Sequence, residues 1–301
     1  MIDRRSLIMA SLAALLPARA SAAWRPRQPK PQTVDYGPAR LDIYTRDGFR
    51  DRPVVFFIHG GAWRLGNRNN VNAKPGFLLD NGFLFVSIDY RMLPGADVAT
   101  QAGDVEKAYA YVRANIARHG GDPDRIAVMG HSAGCHLAAL TGLRGGLPGV
   151  AALVLDDTEA YDIEALAKAQ GGRLRPIYAQ AFSDPAQWRA LSPATYIGSG
   201  KHPPVFVAYS DAPIRAVVAH AFTDRLRAAG TKVALFDGSA YSHMAINRRF
   251  GEEGDALTGA VMAFLKETDR LRLTSASVRP APPARSPAHG RRRSAHRPAR
   301  R

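Results

Sequence analysis

A chain of 301 residues, 46% hydrophobic and 22% charged, is long enough for one large α/β domain and has the composition of an ordinary globular protein. Its formal charge of +15 sits mostly at the ends: eight arginines and no acids fill residues 279–301, the first 22 residues add +2, and +5 remains for the body. The folded part therefore carries no nucleic-acid signature, and the single cysteine, Cys135, excludes an internal disulfide, so stability has to come from the core.

At the N-terminus Arg4 and Arg5 precede an apolar run from Leu7 to Leu16 and the small residues Ala20, Ser21 and Ala22. Charge, apolar run and small residues follow the order of a secretory signal peptide over residues 1–22. The run is too short to span a bilayer as a helix. The paired arginines resemble a twin-arginine export signal, which gives the expectation of a periplasmic or secreted mature protein. An amphipathic N-terminal helix is the plainer alternative.

From residue 33 the pattern becomes that of a domain reaching to about residue 270. "ARLDIYTRDG" alternates and reads as an edge strand. "RPVVFFIHGG", "GFLFVSIDY", "RIAVMG", "GVAALVLDD", "PPVFVAYS" and "TKVALFD" are continuous apolar runs, the mark of strands buried on both faces. Helical spacing falls between them, over 97–119, 133–143, 214–230 and 252–268. Strands alternating with helices predict an α/β fold with a mostly parallel sheet covered on both faces. Residues 158–201 break the rhythm with helical pieces and no strand, and are read as an insertion that lines a pocket or packs the core. Residues 271–301 are rich in Pro, Ala and Arg and too poor in large apolar side chains to order themselves, so they are read as a disordered tail.

The chemistry concentrates in "AVMGHSAGCHLAAL", where Ser132 stands between Gly130 and Gly134 as a strand hands over to a helix. G-x-S-x-G at that junction is the pattern of a nucleophile elbow. A serine nucleophile needs a base, and a carboxylate to orient the base, from later loops in the order serine, acid, histidine. Asp211 just past "PPVFVAYS" and His243 in the loop after "TKVALFD" satisfy that order. Asp237 is the rival acid, and His131 is read as packing or pocket lining. Gly60 and Gly61 after a buried strand, with the N–H of Ala133, are the expected oxyanion donors, and His59 is expected to stabilise their loop.

"HGGAW", "DYRMLP", "GGDPDRIAVMGHSAGCHLAAL", "WRALSP" and "SHMAIN" together resemble the α/β-hydrolases of the esterase/lipase type with an HGGxW motif, a group that includes kynurenine-formamidase-like and feruloyl-esterase-related enzymes. The resemblance covers residues 40 to 265. It implies an eight-stranded, mostly parallel sheet, a Ser132–Asp211–His243 triad and no metal or organic cofactor. The implied activity is that of a carboxylesterase on small-molecule esters. Arylformamidase action on N-formyl amides and a non-catalytic binding protein of the same fold are the alternatives.

Overall fold

A computed structural model describes residues 29–198 and 200–277. The expected export signal (1–22) and the Arg-rich end (278–301) lie outside the described residues. Among the described residues eight strands form one sheet: β1 (Gln32–Asp35), β2 (Arg40–Tyr44), β3 (Arg52–Ile58), β4 (Leu84–Ile88), β5 (Gly121–His131), β6 (Ala152–Asp156), β7 (Val205–Tyr209) and β8 (Val233–Asp237). Their order is β1-β2-β4-β3-β5-β6-β7-β8. β2 runs antiparallel to both β1 and β4, and every other pairing is parallel. The strands read from apolar runs are all present.

The helices are α1 (Lys74–Asp80), α2 (Val98–Asn115), α3 (Ala133–Leu143), α4 (Ile163–Ala169), α5 (Pro176–Ala179), α6 (Trp188–Leu191), α7 (Pro213–Ala228), α8 (His243–Arg248) and α9 (Ala256–Ser277). α2 begins where Asp97 accepts from the N–H of Thr100, an N-cap that satisfies one of the free donors of the first turn. α9 continues to Ser277, beyond the domain boundary at 270 expected from composition. That expectation weighed apolar content alone, whereas a helix already docked upstream carries its last turns along.

Continuous apolar strands give the sheet two buried faces. Val54, Phe56 and Ile58 of β3 point to one face, with Leu137 and Leu140 of α3, Val105 of α2 and Phe222 of α7. Val55 and Phe57 point to the other, with Leu78 of α1 and Leu257 and Phe264 of α9. The alternation of β3 residues between the two clusters follows from the two-residue period of a strand. In the parallel part all strands end on the same edge, and the loops leaving β3, β5, β6 and β8 there carry Gly60, Ser132, Asp157 and His243. The insertion at 158–201 holds α4, α5 and α6, as expected, with no strand among its described residues.

Candidate active site

Sterics explain the small residues around Ser132. A Cβ on Gly130 would lie 2.2 Å from the carbonyl oxygen of Gly134, and one on Gly134 would lie 2.1 Å from that of Ile58. The glycines let α3 start hard against β3 and β5. Ser132 itself takes φ 57° and ψ −118°, a left-handed conformation that costs a non-glycine residue about 1–3 kcal/mol. The bond from its N–H to the Asp156 carbonyl at 3.0 Å holds it there.

His243 opens α8, with Ser242 as N-cap accepting from the N–H of Ala245. Ser132 Oγ donates to His243 Nε2 at 3.0 Å. His243 Nδ1–H donates to Asp157 Oδ2 at 2.6 Å. The imidazole is steadied from behind by His131, whose Nε2–H donates to the His243 carbonyl at 2.9 Å, the two rings lying 4.7 Å apart. Burial, and then the nearness of His243, push the His131 pKa down to about 3, so this histidine stays neutral. It packs and positions, as its place beside the elbow serine suggested.

The carboxylate at His243 is Asp157 rather than Asp211, which corrects the sequence expectation. Asp157 directly follows β6 and has φ 61°. Its N–H donates to the Ala208 carbonyl at 3.0 Å, and its Oδ1 accepts from the N–H of Ser210 at 3.0 Å. The end of β7 thus contributes a donor to the acid, not the acid. Asp211, one residue on, is exposed, and its N–H donates to the Tyr241 carbonyl at 2.9 Å, tying two loops together. Asp237, the rival acid, is also exposed and caps the turn at Ser239.

Two adjacent aspartates meet opposite environments. Burial alone would push Asp157 up, but the hydrogen bond from His243 and the charge of Arg215 reverse this and hold its carboxyl below the usual range. Asp156 points the other way, and among the described residues neither of its oxygens has a hydrogen-bond partner. Burial, with the charge of Asp157 adding to it and Lys74 opposing, pushes its carboxyl up to about 8. Asp157 is therefore the ionised member, suited to orient and stabilise an imidazolium.

Sequence reasoning missed Arg215. Its Nη1 lies 2.9 Å from Asp157 Oδ2 and 2.7 Å from His243 Nδ1, and its Nη2 lies 3.2 Å from Glu159 Oε1. A guanidinium only donates, so Arg215 competes with His243 for the same carboxylate oxygen. Burial opposes its charge, but Asp157 and Glu159 hold it protonated. For Asp157 the usable signal was "VLDD", a buried strand ending in two carboxylates just as "VFVAYSD" ends in one.

On the other side of Ser132, a Cβ on Gly60 would lie 3.0 Å from the serine Cβ, so bare backbone comes right up to that side chain. Gly61 has φ 131°, and a Cβ there would collide with the Leu65 carbonyl at 1.9 Å. His59 Nδ1–H donates to the Gly60 carbonyl at 2.7 Å, its ring stacks on Tyr90 at 4.6 Å, and Tyr90 Oη donates to the His59 carbonyl at 3.0 Å. These contacts fix the loop, the role expected for His59. Ala133 is the first residue of α3, where helix geometry leaves its N–H without an acceptor within the helix. Gly60 and Ala133 thus lie beside the serine, with Gly61 next along the loop from Gly60.

These groups open into a cavity of about 170 Å³, walled by Trp63, Ser132, His243 and Arg215 from the domain and by Glu159, Arg175, Ile177 and Tyr178 from the insertion. The insertion also packs: Leu191 accepts from His136 Nε2 at 2.8 Å, and Phe182 lies against Trp63 at 5.0 Å. A larger hollow of about 290 Å³ lies between β8 and α9, lined by Phe206, Phe236 and Phe264 and by no serine or histidine. Among the described residues no group of His, Cys, Asp and Glu side chains is placed to hold a metal ion, and no helix is long and apolar enough to cross a membrane.

The sequence profile of the BD-FAE family matches residues 41–229. Esterase LipQ of Mycobacterium tuberculosis is 30% identical over 257 residues, 77% of this chain and 61% of its own length. Isoprenylcysteine alpha-carbonyl methylesterase ICME of Arabidopsis thaliana is 26% identical over 269 residues, 80% of this chain and 62% of its own length. The chain thus spans about three fifths of these curated relatives. Esterase B of Lactobacillus rhamnosis superposes with a TM-score of 0.66 at 19% identity, covering 82% of this chain and 87% of that one. At that identity the likeness shows the fold, the α/β-hydrolase sheet.

Proposed function

The chain belongs to the BD-FAE family, within the α/β-hydrolases of the esterase/lipase type, and from that premise we propose that it is a serine hydrolase that cleaves small carboxylic esters through an acyl-enzyme. The observation that carries this reading is the unbroken run of bonds from Ser132 Oγ through His243 to Asp157. Ser132 Oγ attacks the ester carbonyl as His243 Nε2 takes its proton. Asp157 holds the proton of the other ring nitrogen on Nδ1, leaving Nε2 free to accept, and stabilises the imidazolium. The N–H groups of Gly60, Gly61 and Ala133 receive the oxyanion. His243 then gives its proton to the departing alcohol, and a water activated by the same imidazole releases the acid. These steps need no metal or organic cofactor. The relatives carry esterase names, which favours an ester as the bond cleaved over a formamide.

A fluorophosphonate should label the protein at Ser132, and short-chain esters should be hydrolysed. Label recovered elsewhere, or turnover that survives Ser132→Ala, would overturn the assignment. Export forms part of the same reading. It is supported by the order of Arg4 and Arg5, the apolar run and the small residues up to Ala22. The mature protein from its host should begin near Ala23, and replacing both arginines with lysines should block export by a twin-arginine route. Active protein beginning at Met1 or Ile2 would refute it.

A further inference from the structure

The polar groups of the cavity are unequally committed. Glu159 is 3% exposed, and its two carboxylate oxygens pair with Arg215 and Arg175. Its charge also helps raise the pKa of the Tyr178 hydroxyl, after burial. Arg215 is 13% exposed and is divided between Asp157, His243 and Glu159. Neither Glu159 nor Arg215 has much left for a ligand. Arg175 differs. Its side chain is 53% exposed, it meets Glu159 through Nη2, and its guanidinium lies 5.6 Å from the Tyr178 ring centroid at the cavity wall. Of the five N–H donors of a guanidinium, those on Nη2 meet Glu159, and the rest belong to a half-exposed group that lines the cavity.

The charges give the same answer. Asp157 and Glu159 are balanced by Arg215 and Arg175, so the cavity is neutral overall, but its buried charge is spent internally and its accessible charge is positive. A cationic substrate group would find no free carboxylate. An anionic group would find an open guanidinium edge beside an aromatic wall.

Building on the esterase reading, we infer that the preferred substrates are small esters that carry a carboxylate within a few bonds of the scissile carbonyl, and that Arg175 binds that carboxylate. Arg175 is thus a specificity-determining residue, and Glu159 holds it in place. A guanidinium meets a carboxylate through two parallel charge-assisted hydrogen bonds, which makes it stronger here than a single neutral donor. The cavity of about 170 Å³ limits the spacer to a short one.

The test compares isosteric pairs at pH 8 by titrating the acid released. Monoethyl succinate against ethyl 4-methylpentanoate places the carboxylate on the acyl side. 3-Acetoxypropanoate against 3-methylbutyl acetate places it on the alcohol side. In at least one pair kcat/KM should favour the carboxylated ester by about 10-fold or more, and the preference should shrink in high salt. Arg175→Gln should bring that ratio to one or below, because Glu159 then leaves the cavity net negative. Glu159→Gln should raise it, because the amide oxygen still accepts from Arg175 Nη2 and keeps it in place while the cavity gains a net positive charge. The opposite signs of the two variants are what a mere structural clamp could not produce. A ratio near or below one in both wild-type pairs, or variants that slow both members of a pair alike, would refute the inference while leaving the esterase reading intact. Absence of turnover on all four esters together with absence of phosphonate labelling would refute the esterase reading and this inference with it.

Discussion

Replacing Asp157 with asparagine tests the corrected assignment of the acid. The amide oxygen can keep the bond from the Ser210 N–H, now 3.0 Å long. The other position, 2.6 Å from His243 Nδ1, becomes an NH₂ group, which can only donate. Nδ1 must then accept, the ring proton moves to Nε2, and the nitrogen that should take the serine proton already carries one. Arg215, 2.7 Å from Nδ1, is another donor that favours this unproductive tautomer once the carboxylate charge is gone. Loss of the orienting carboxylate in such an arrangement costs about 10⁴-fold in kcat, or about 5.5 kcal/mol of transition-state stabilisation. Arg215 keeps Glu159 as a partner, so unfolding by urea should shift by no more than about 1–3 kcal/mol. Steady-state hydrolysis of a short-chain ester, with urea titrations of the same preparations, measures both quantities. Asp211→Asn is the control and should stay within about twofold, since Asp211 is exposed and the carboxylate bonded to His243 is that of Asp157. A deeper loss in Asp211→Asn than in Asp157→Asn, or more than a tenth of wild-type kcat in Asp157→Asn, would show that the acid has been placed on the wrong strand.

Ser132→Ala should lower kcat by about 10⁵- to 10⁶-fold and abolish phosphonate labelling, while thermal unfolding changes little. Gly134→Ala should destabilise by about 3 kcal/mol or fail to fold, since its Cβ would lie 2.1 Å from the Ile58 carbonyl oxygen; a soluble variant with wild-type melting would contradict the close approach. Lys74→Met removes the Nζ bonds to Asn247 O and Oδ1, both 2.7 Å, which anchor the helix that begins at His243. It should cost about 2–3 kcal/mol in urea unfolding and lower kcat more than it raises KM. Asp156 has a folded pKa raised to about 8 by burial, so its contribution is fully present below the ordinary carboxylate range and is lost as pH rises through 8. Melting temperatures should therefore fall between pH 5 and 8 and fall less in Asp156→Asn. Asp157, depressed in the fold, has the opposite sign, and its contribution disappears as pH drops below about 4.

How much of this was legible in the sequence depends on how local each signal is. The six apolar runs announced their strands because a parallel strand buried on both faces has to be apolar at every position. Ser132 was legible because the close packing of α3 on β3 excludes a Cβ at Gly130 and Gly134, and that exclusion is written as two glycines. Gly61 was legible for the same reason, a loop too tight for a side chain at that position. The insertion was visible as missing rhythm, but its contribution of Glu159, Arg175 and Tyr178 to the cavity was not. Glu159 meets Arg215 from 56 positions away along the chain, Arg175 joins them through Glu159, and no local pattern records the meeting.

The acid shows where local reading runs out. β6 and β7 are adjacent and parallel, with Asp156 paired to Ala208 in register, so the residues that follow them leave the sheet side by side, separated by about 5 Å in the hydrogen-bonding direction. Either strand end can bring a carboxylate to a histidine delivered from the loop after β8. The chain places an aspartate after both, and strand order alone cannot choose between Asp157 and Asp211. The choice is made by backbone conformation: Asp157 turns through φ 61° and points at His243, while the N–H of Ser210 from the neighbouring strand end completes its hydrogen bonds. With that oxygen-rich corner formed, Arg215 in the first turn of α7 finds two carboxylates within reach, and Asp157 becomes part of the same charge network that reaches Arg175 through Glu159. On the proposed reading, orientation of the base and charge of the cavity are therefore coupled, and a substitution at Glu159 should be felt at both.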